Sequence, residues 1–162
     1  MSRGKSFKVT PTIRKKINSL AKRVGCPLNW KRSCGIQWNG KDVACKGQDA
    51  SNIIHDIAHY AVATTRARRY KDFGLGAGPD SSLKSGENIE EIYRFSKCSD
   101  IERKASALGI YWEKELGLNW KDTAEYHAWT SRYGRDIGGE MTDLKDMWKS
   151  LSSTIKKYKE VR

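Results

Sequence analysis

The sequence predicts a mainly helical α+β fold in a single compact domain, on three observations. Apolar residues recur at helical spacing over most of the chain. One segment, 30–47, breaks that period and holds a turn signal between β-prone triplets. At 162 residues the chain has the length of one domain, with no internal repeat and no low-complexity linker.

The elements follow in order. Residues 1–10 form a basic, flexible tail. Pro11 to Val24 reads as a helix: proline suits a first helical turn, Ile13, Ile17, Leu20 and Val24 recur on one face, and Gly25 ends it. Its Arg14-Lys15-Lys16 and Lys22-Arg23 clusters are expected to face water. Ile36-Gln37-Trp38, the turn Asn39-Gly40 and Val43-Ala44-Cys45 read as a β-hairpin. Asp49 or Ser51 caps a second helix running to about Arg69, with Ile53, Ile54, Ile57, Ala58, Ala61 and Val62 on its core face. Residues 70–88 are a glycine-rich loop. Ser99 and Glu102 match a capping box that opens a helix to about Leu116, stopped by Gly117. On that helix Glu102 shares a side with Ala105, Ser106, Gly109 and Trp112, and the small residues invite another helix to approach. Asp122–Ser131 and Thr142–Tyr158 read as further helices. The domain at 11–162 thus divides into a basic part (11–48), a central core (49–117) and C-terminal helices (118–160).

Charge is unevenly spread. Of a net +12, residues 1–48 carry 12 lysines and arginines against one acid, Asp42, and the remainder is nearly neutral. Such a block suits an acidic partner, either nucleic acid or an acidic protein, or a solvated face. No apolar run approaches the roughly 18 residues of a membrane span, and the N-terminus lacks a signal-peptide core. A cytoplasmic protein with no membrane partner is expected. Cys26, Cys34, Cys45 and Cys98 form no C-x-x-C pair and read as small, reduced, buried thiols.

Two of the three histidines, His55 and His59, stand four residues apart on the second helix. Positions i and i+4 lie one above the other, so both imidazoles can reach one metal ion; the alternative is a structural pair bonded to backbone. A third ligand is needed. His127, Asp72, Asp80, Glu91 and Asp100 are candidates, and Glu102 is the best placed.

Three chemistries compete for two histidines and a carboxylate. Zinc hydrolases of the H-E-x-x-H type use the acid beside the first histidine as general base, but here it is Asp56, shorter in reach by about 1.5 Å. Phosphohydrolases with a His-Asp metal pair need a further histidine upstream, and none precedes His55. A non-haem Fe(II) facial triad needs no base at position 56. A fourth reading is a basic nucleic-acid or ribosome-binding accessory protein with structural histidines. Arg66 or Arg68 is positioned to hold an anionic substrate group or to end a helix in solvent. Asp72 reads as an acceptor for a ligand histidine N–H, or as a turn-former.

The ordered set His55-Asp56-Ile57-Ala58-His59, Ala63, Arg68, Asp72-Phe73-Gly74, Pro79-Asp80 and Asp100-Ile101-Glu102, with Lys104, Ala107 and Leu108 behind it, resembles the elongation factor P hydroxylases over about residues 50–115. The resemblance implies that His55, His59 and Glu102 are metal ligands, with Asp56, Arg68 and Asp72 around them. It implies iron serving oxygen-dependent hydroxylation of a modified lysine on an elongation factor, an acidic protein shaped like tRNA. Asp56 stands where that family has glutamate, Leu75-Gly76-Ala77-Gly78 replaces an aromatic segment, and the basic N-terminal third has no counterpart.

Overall fold

The fold is that of a computed structural model, which describes residues 8–33, 36–74, 95–124 and 143–159. It is mainly helical, with a small two-stranded parallel sheet in its N-terminal half.

Helix α1 spans Pro11–Val24, the predicted bounds. Thr10 Oγ1 accepts the Ile13 amide at 3.2 Å, and Gly25 ends the helix in the left-handed region at φ 83°, which only glycine adopts without cost. Ile17, Leu20, Ala21 and Val24 are buried. Not all of its cations face water. Lys16 Nζ donates to the Leu116 carbonyl at 2.8 Å, and Arg23 reaches Glu115 at 2.9 Å and the Tyr158 carbonyl at 3.3 Å. Part of the basic block is therefore spent on tying α1 to later helices.

Strand β1 (Leu28–Ser33) runs parallel to β2 (Val43–Lys46), with Leu28 opposite Val43 and Asn29 opposite Ala44. This corrects the expected hairpin. Asn39-Gly40 does turn the chain: Asn39 Oδ1 accepts the amides of Lys41 and Asp42, both at 2.9 Å. Only one antiparallel bridge follows, Trp38 to Val43, because β2 takes β1 as its ladder partner. A nine-residue return between parallel strands is short, and Arg32 closes it. Its guanidinium donates to Asp42 Oδ1 at 2.9 Å and to the carbonyls of Ile36 and Asp42, both at 2.6 Å.

Helix α2 (Ala50–Val62) carries the histidines. It stops seven residues short of the predicted end. Ala63 is extended, and Thr64 Oγ1 accepts the Ala67 amide at 3.1 Å, starting a separate 3₁₀ turn at Ala67–Arg69. A threonine hydroxyl competes with the helix for backbone donors, so local capping ends α2 although the apolar period continues. A second tight turn, Lys71–Gly74, holds Asp72 (φ 48°) and Phe73 (φ 56°) in the left-handed region.

Helix α3 (Phe95–Glu115) starts four residues before Ser99, so the Ser99–Glu102 pair lies inside the helix and caps nothing. Its Gly109 meets α2: a Cβ there would stand 3.4 Å from His55 Cα. The small-residue stripe admits a close neighbour, as its composition predicts, and that neighbour bears the histidines. Helix α4 (Trp120–Thr123) takes up the start of the predicted 122–131 helix; the rest lies outside the described residues. The last predicted helix is two, α5 (Asp143–Ser150) and α6 (Ser152–Lys157), joined through Leu151, whose amide still bonds Met147 O at 2.9 Å.

The core gathers Ile17 and Leu20 of α1, Val43 of β2, Ile53, Ile54 and Ile57 of α2, and Leu108 and Trp112 of α3. Among the described residues no helix is long and apolar enough to cross a membrane.

Candidate functional site

His55 and His59 lie side by side on α2, with ring centroids 4.6 Å apart and planes at 82°. The i, i+4 spacing alone dictates this neighbourhood. His59 is 6 % exposed and His55 is half-buried, so the pair opens from the core toward the surface.

What surrounds them is aromatic and comes from distant parts of the chain. Phe73 stacks on His59 at 5.6 Å and 12°, and Trp38 stacks on the other side of Phe73 at 5.1 Å and 5°. Trp38 also meets Tyr60 edge-on at 5.4 Å. Such contacts contribute about 0.5–1.5 kcal/mol each beyond their buried area. Two hydrogen bonds lock the arrangement: Trp38 Nε1 donates to Arg68 O at 3.0 Å, and the Asp72 amide donates to Trp38 O at 2.8 Å. Gly40 sits under this segment at φ 90°, where a Cβ would stand 3.2 Å from Arg69 O, so a side chain there is blocked by backbone as well as by conformation.

Two consecutive non-glycine residues in the left-handed region cost on the order of 1–3 kcal/mol each. The stack and the Trp38 hydrogen bonds hold Asp72 and Phe73 there. The result leaves Asp72 within electrostatic reach of His59. Burial raises the Asp72 carboxyl above its ordinary range, while a hydrogen bond from the Trp38 backbone to the carboxylate and the nearby His59 and Lys71 charges pull it back.

The other sequence-derived candidates take separate places. Arg68 folds back on α2: Nε and Nη2 donate to the Tyr60 carbonyl at 2.9 and 2.8 Å, and the guanidinium lies 3.9 Å from the Tyr60 ring centre. It serves a carbonyl of the last helical turn, one of the groups a helix end leaves without an intrahelical partner. Asp56 is 5 % exposed and within electrostatic reach of Cys26 and Cys45. Both thiols are buried and free; burial drives Cys26 far above the usual thiol range and pushes Cys45 up to about 11, and Asp56 adds to both. These are inert, protonated thiols.

Glu102 belongs to α3, on the helical stripe that includes Gly109; its side chain lies outside the described residues. So do Asp80, Glu91, His127, Cys34 and the loop beyond Gly74. Among the described residues no group of three or more His, Cys, Asp or Glu is placed to hold a metal ion. His55, His59 and Asp72 therefore do not make up such a group.

Sequence reasoning missed three participants. Trp38 and Tyr60 carry no motif. Phe73 stands inside Asp72-Phe73-Gly74, and a large apolar residue between two turn-formers is the signal that it packs against something. Also missed was Glu113, 3 % exposed on α3, which accepts the Thr123 hydroxyl at 2.6 Å and is pushed up to about 8 by burial.

Comparison of the chain with protein-family models, with curated proteins and with solved structures finds no match.

Proposed function

We propose that this chain is a non-haem metal-dependent enzyme of hydroxylase type, with His55 and His59 as two ligands and Glu102 as the third. One observation carries the reading: Asp72-Phe73, fourteen residues past His59 in sequence at its far end, folds back so that Phe73 stacks on the His59 imidazole. Two parts of the ordered motif, His59 and Asp72-Phe73, thereby stand together, held by strained backbone of the kind that concentrates at functional sites.

The histidine geometry fits a metal ion. Two imidazoles bound at about 2.1 Å to one ion, at ordinary ligand angles, have ring centres roughly 4.5–5.5 Å apart, and the pair stands at 4.6 Å. Iron held by His55, His59 and Glu102 would supply dioxygen activation for a hydroxylation. The chain's own residues would orient the site: Phe73 stacks on the His59 ring, Trp38 stacks on Phe73, and Asp72 lies within electrostatic reach of His59. The burial of Asp56 beside two thiols argues against its use as the general base of a zinc hydrolase.

The substrate class follows from charge. A cavity of about 660 Å³ lies at the start of α1 and α2, lined by Lys8, Arg14, Trp30 and Lys46, with Arg14 4.3 Å from the Trp30 ring centre. It suits an acidic protein substrate of elongation-factor type docking on residues 1–48.

The test is metal content by mass spectrometry on untagged protein after anaerobic Fe(II) loading. About one iron per chain is expected, lost in His55→Ala, His59→Ala and Glu102→Ala and kept in Asp56→Asn. Equal content in all four variants overturns the reading, and zinc in place of iron moves it to hydrolysis.

A further inference from the structure

A second basic surface lies at the other end of the molecule, in the part of the sequence whose net charge is close to zero. Helices α5 and α6 frame a groove of about 620 Å³ lined by Tyr111, Trp148, Ile155 and the lysines 145, 149, 156 and 159, with Ser152 and Ser153 between them. Among the described residues no acidic side chain lines it. Lys145 and Lys149 come from α5, Ser152 and Lys156 from α6, and Lys159 from just beyond it, and all five line the groove. All four lysines are exposed. The acids of the C-terminal part balance the overall charge without balancing this face.

The floor of the groove is aromatic and rigid. Trp148 Nε1 donates to Ala107 O at 2.7 Å, which fixes the indole on α3. Tyr111 meets Trp148 at 5.5 Å and Trp120 meets it at 5.7 Å, both edge-on. Lys114 Nζ lies 5.3 Å from the Trp148 ring centre and 5.6 Å from that of Trp120. Aromatic rings set among lysines, with hydroxyl donors and no acid, are what a single-stranded nucleic acid requires: bases stack on the rings while ammonium groups follow the phosphates. An acidic peptide uses the charge but has no call on the rings. A duplex, its bases already stacked, gains nothing from them.

We infer that the groove between Tyr111, Trp148 and the α5–α6 lysines binds single-stranded nucleic acid. The site is separate from the histidine pair and from the N-terminal cavity, and stands whether or not the chain is a hydroxylase.

The experiment is a fluorescence-anisotropy titration of the full chain with a labelled oligothymidylate of about 12 residues, a length within the site sizes of such grooves. Lys145→Glu/Lys149→Glu/Lys156→Glu is compared with a control set in the N-terminal cavity, Lys8→Glu/Arg14→Glu/Lys46→Glu. The groove variant is expected to weaken binding roughly tenfold or more and to flatten the salt slope by about 2, since each lysine on a single strand accounts for about 0.7. The control set is expected to retain most of the affinity. Because Trp148 is tied into α3 and Trp148→Leu can disturb folding, ultraviolet cross-linking of the unmodified chain supplies an independent reading: adducts should map to peptides containing Tyr111 or Trp148. Affinity within twofold of the parent in the groove variant overturns the inference. So does equal competition by duplex DNA or by poly-glutamate, which would mark a general polyelectrolyte surface.

Discussion

Helix α2 divides two regions of opposite construction. Its inner side meets Ile17, Leu20 and Val43, with Cys26, Cys45 and Asp56 buried among them. Its histidine side meets a stack of rings drawn from residues 38, 60 and 73, with backbone in the left-handed region. The inner side is assembled from regular elements packed on their apolar stripes. The histidine side is assembled from pieces too short to have a stripe. Burial also acts differently on the two. In the closed interior it keeps titrating groups protonated, as Cys45 and Glu113 show. Beside His59 burial likewise raises Asp72, but the His59 and Lys71 charges and a Trp38 backbone hydrogen bond oppose it.

The contrast predicts that stability resides on the inner side and function on the other. Ile57 is fully buried. Ile57→Ala should cost about 3 kcal/mol, read as a lower urea midpoint, while the metal stoichiometry of the folded fraction stays unchanged. Loss of metal with little loss of stability would reverse the assignment of the two sides.

Glu113 sharpens the same point on α3. Its folded-state carboxyl titrates near 8, against a reference of 4.5. A raised carboxyl means that the folded state holds a proton the unfolded state has released across that window. Stability is therefore greatest below about pH 4.5 and declines as pH rises toward 8. Glu113→Gln should flatten this decline in urea titrations at pH 5 and pH 8. A parent protein whose stability rises over that window would show that Glu113 is ionised in the interior.

The smallest effect has the opposite sign. Asp72→Gly removes a left-handed aspartate, so the melting temperature should rise by a few degrees, about 1 kcal/mol at most. Iron affinity should fall at the same time if the carboxylate orients His59. A fall in melting temperature would mean that the side chain serves the fold alone.

How much of this was legible in the sequence follows the same division. Helix α1 was read to the residue because Pro11 and Gly25 are local signals that act within one turn, and the Thr10 cap, which was not read, agrees with them. The approach of α3 to α2 was foreshadowed by Ala105, Ser106 and Gly109, since small residues leave room whatever the partner is. Strand β1 was missed because Trp30-Lys31-Arg32-Ser33 is mostly polar; it is held by Arg32 reaching to Asp42, a contact no period encodes. Helix α2 was overrun because the apolar spacing continued through Val62 while Thr64 had already offered its hydroxyl to Ala67. The ring stack joins residues 38, 59 and 73, and separations of that length leave no mark in a window of ten. The histidine spacing revealed where to look, but the walls of the site were beyond pattern reading.

Trp38 has a mechanical consequence. Its ring N–H holds one end of the 68–72 segment, its carbonyl holds the other, and its backbone bridges to Val43 of β2. The segment beside His59 is thus pinned at two points to a single residue anchored in the sheet, like a handle fixed at both ends to one plate. Displacement of Phe73 cannot remain local: it must either break one of these pins or carry the edge of the sheet with it. The indole itself is the gauge, because its emission changes when the neighbouring ring leaves.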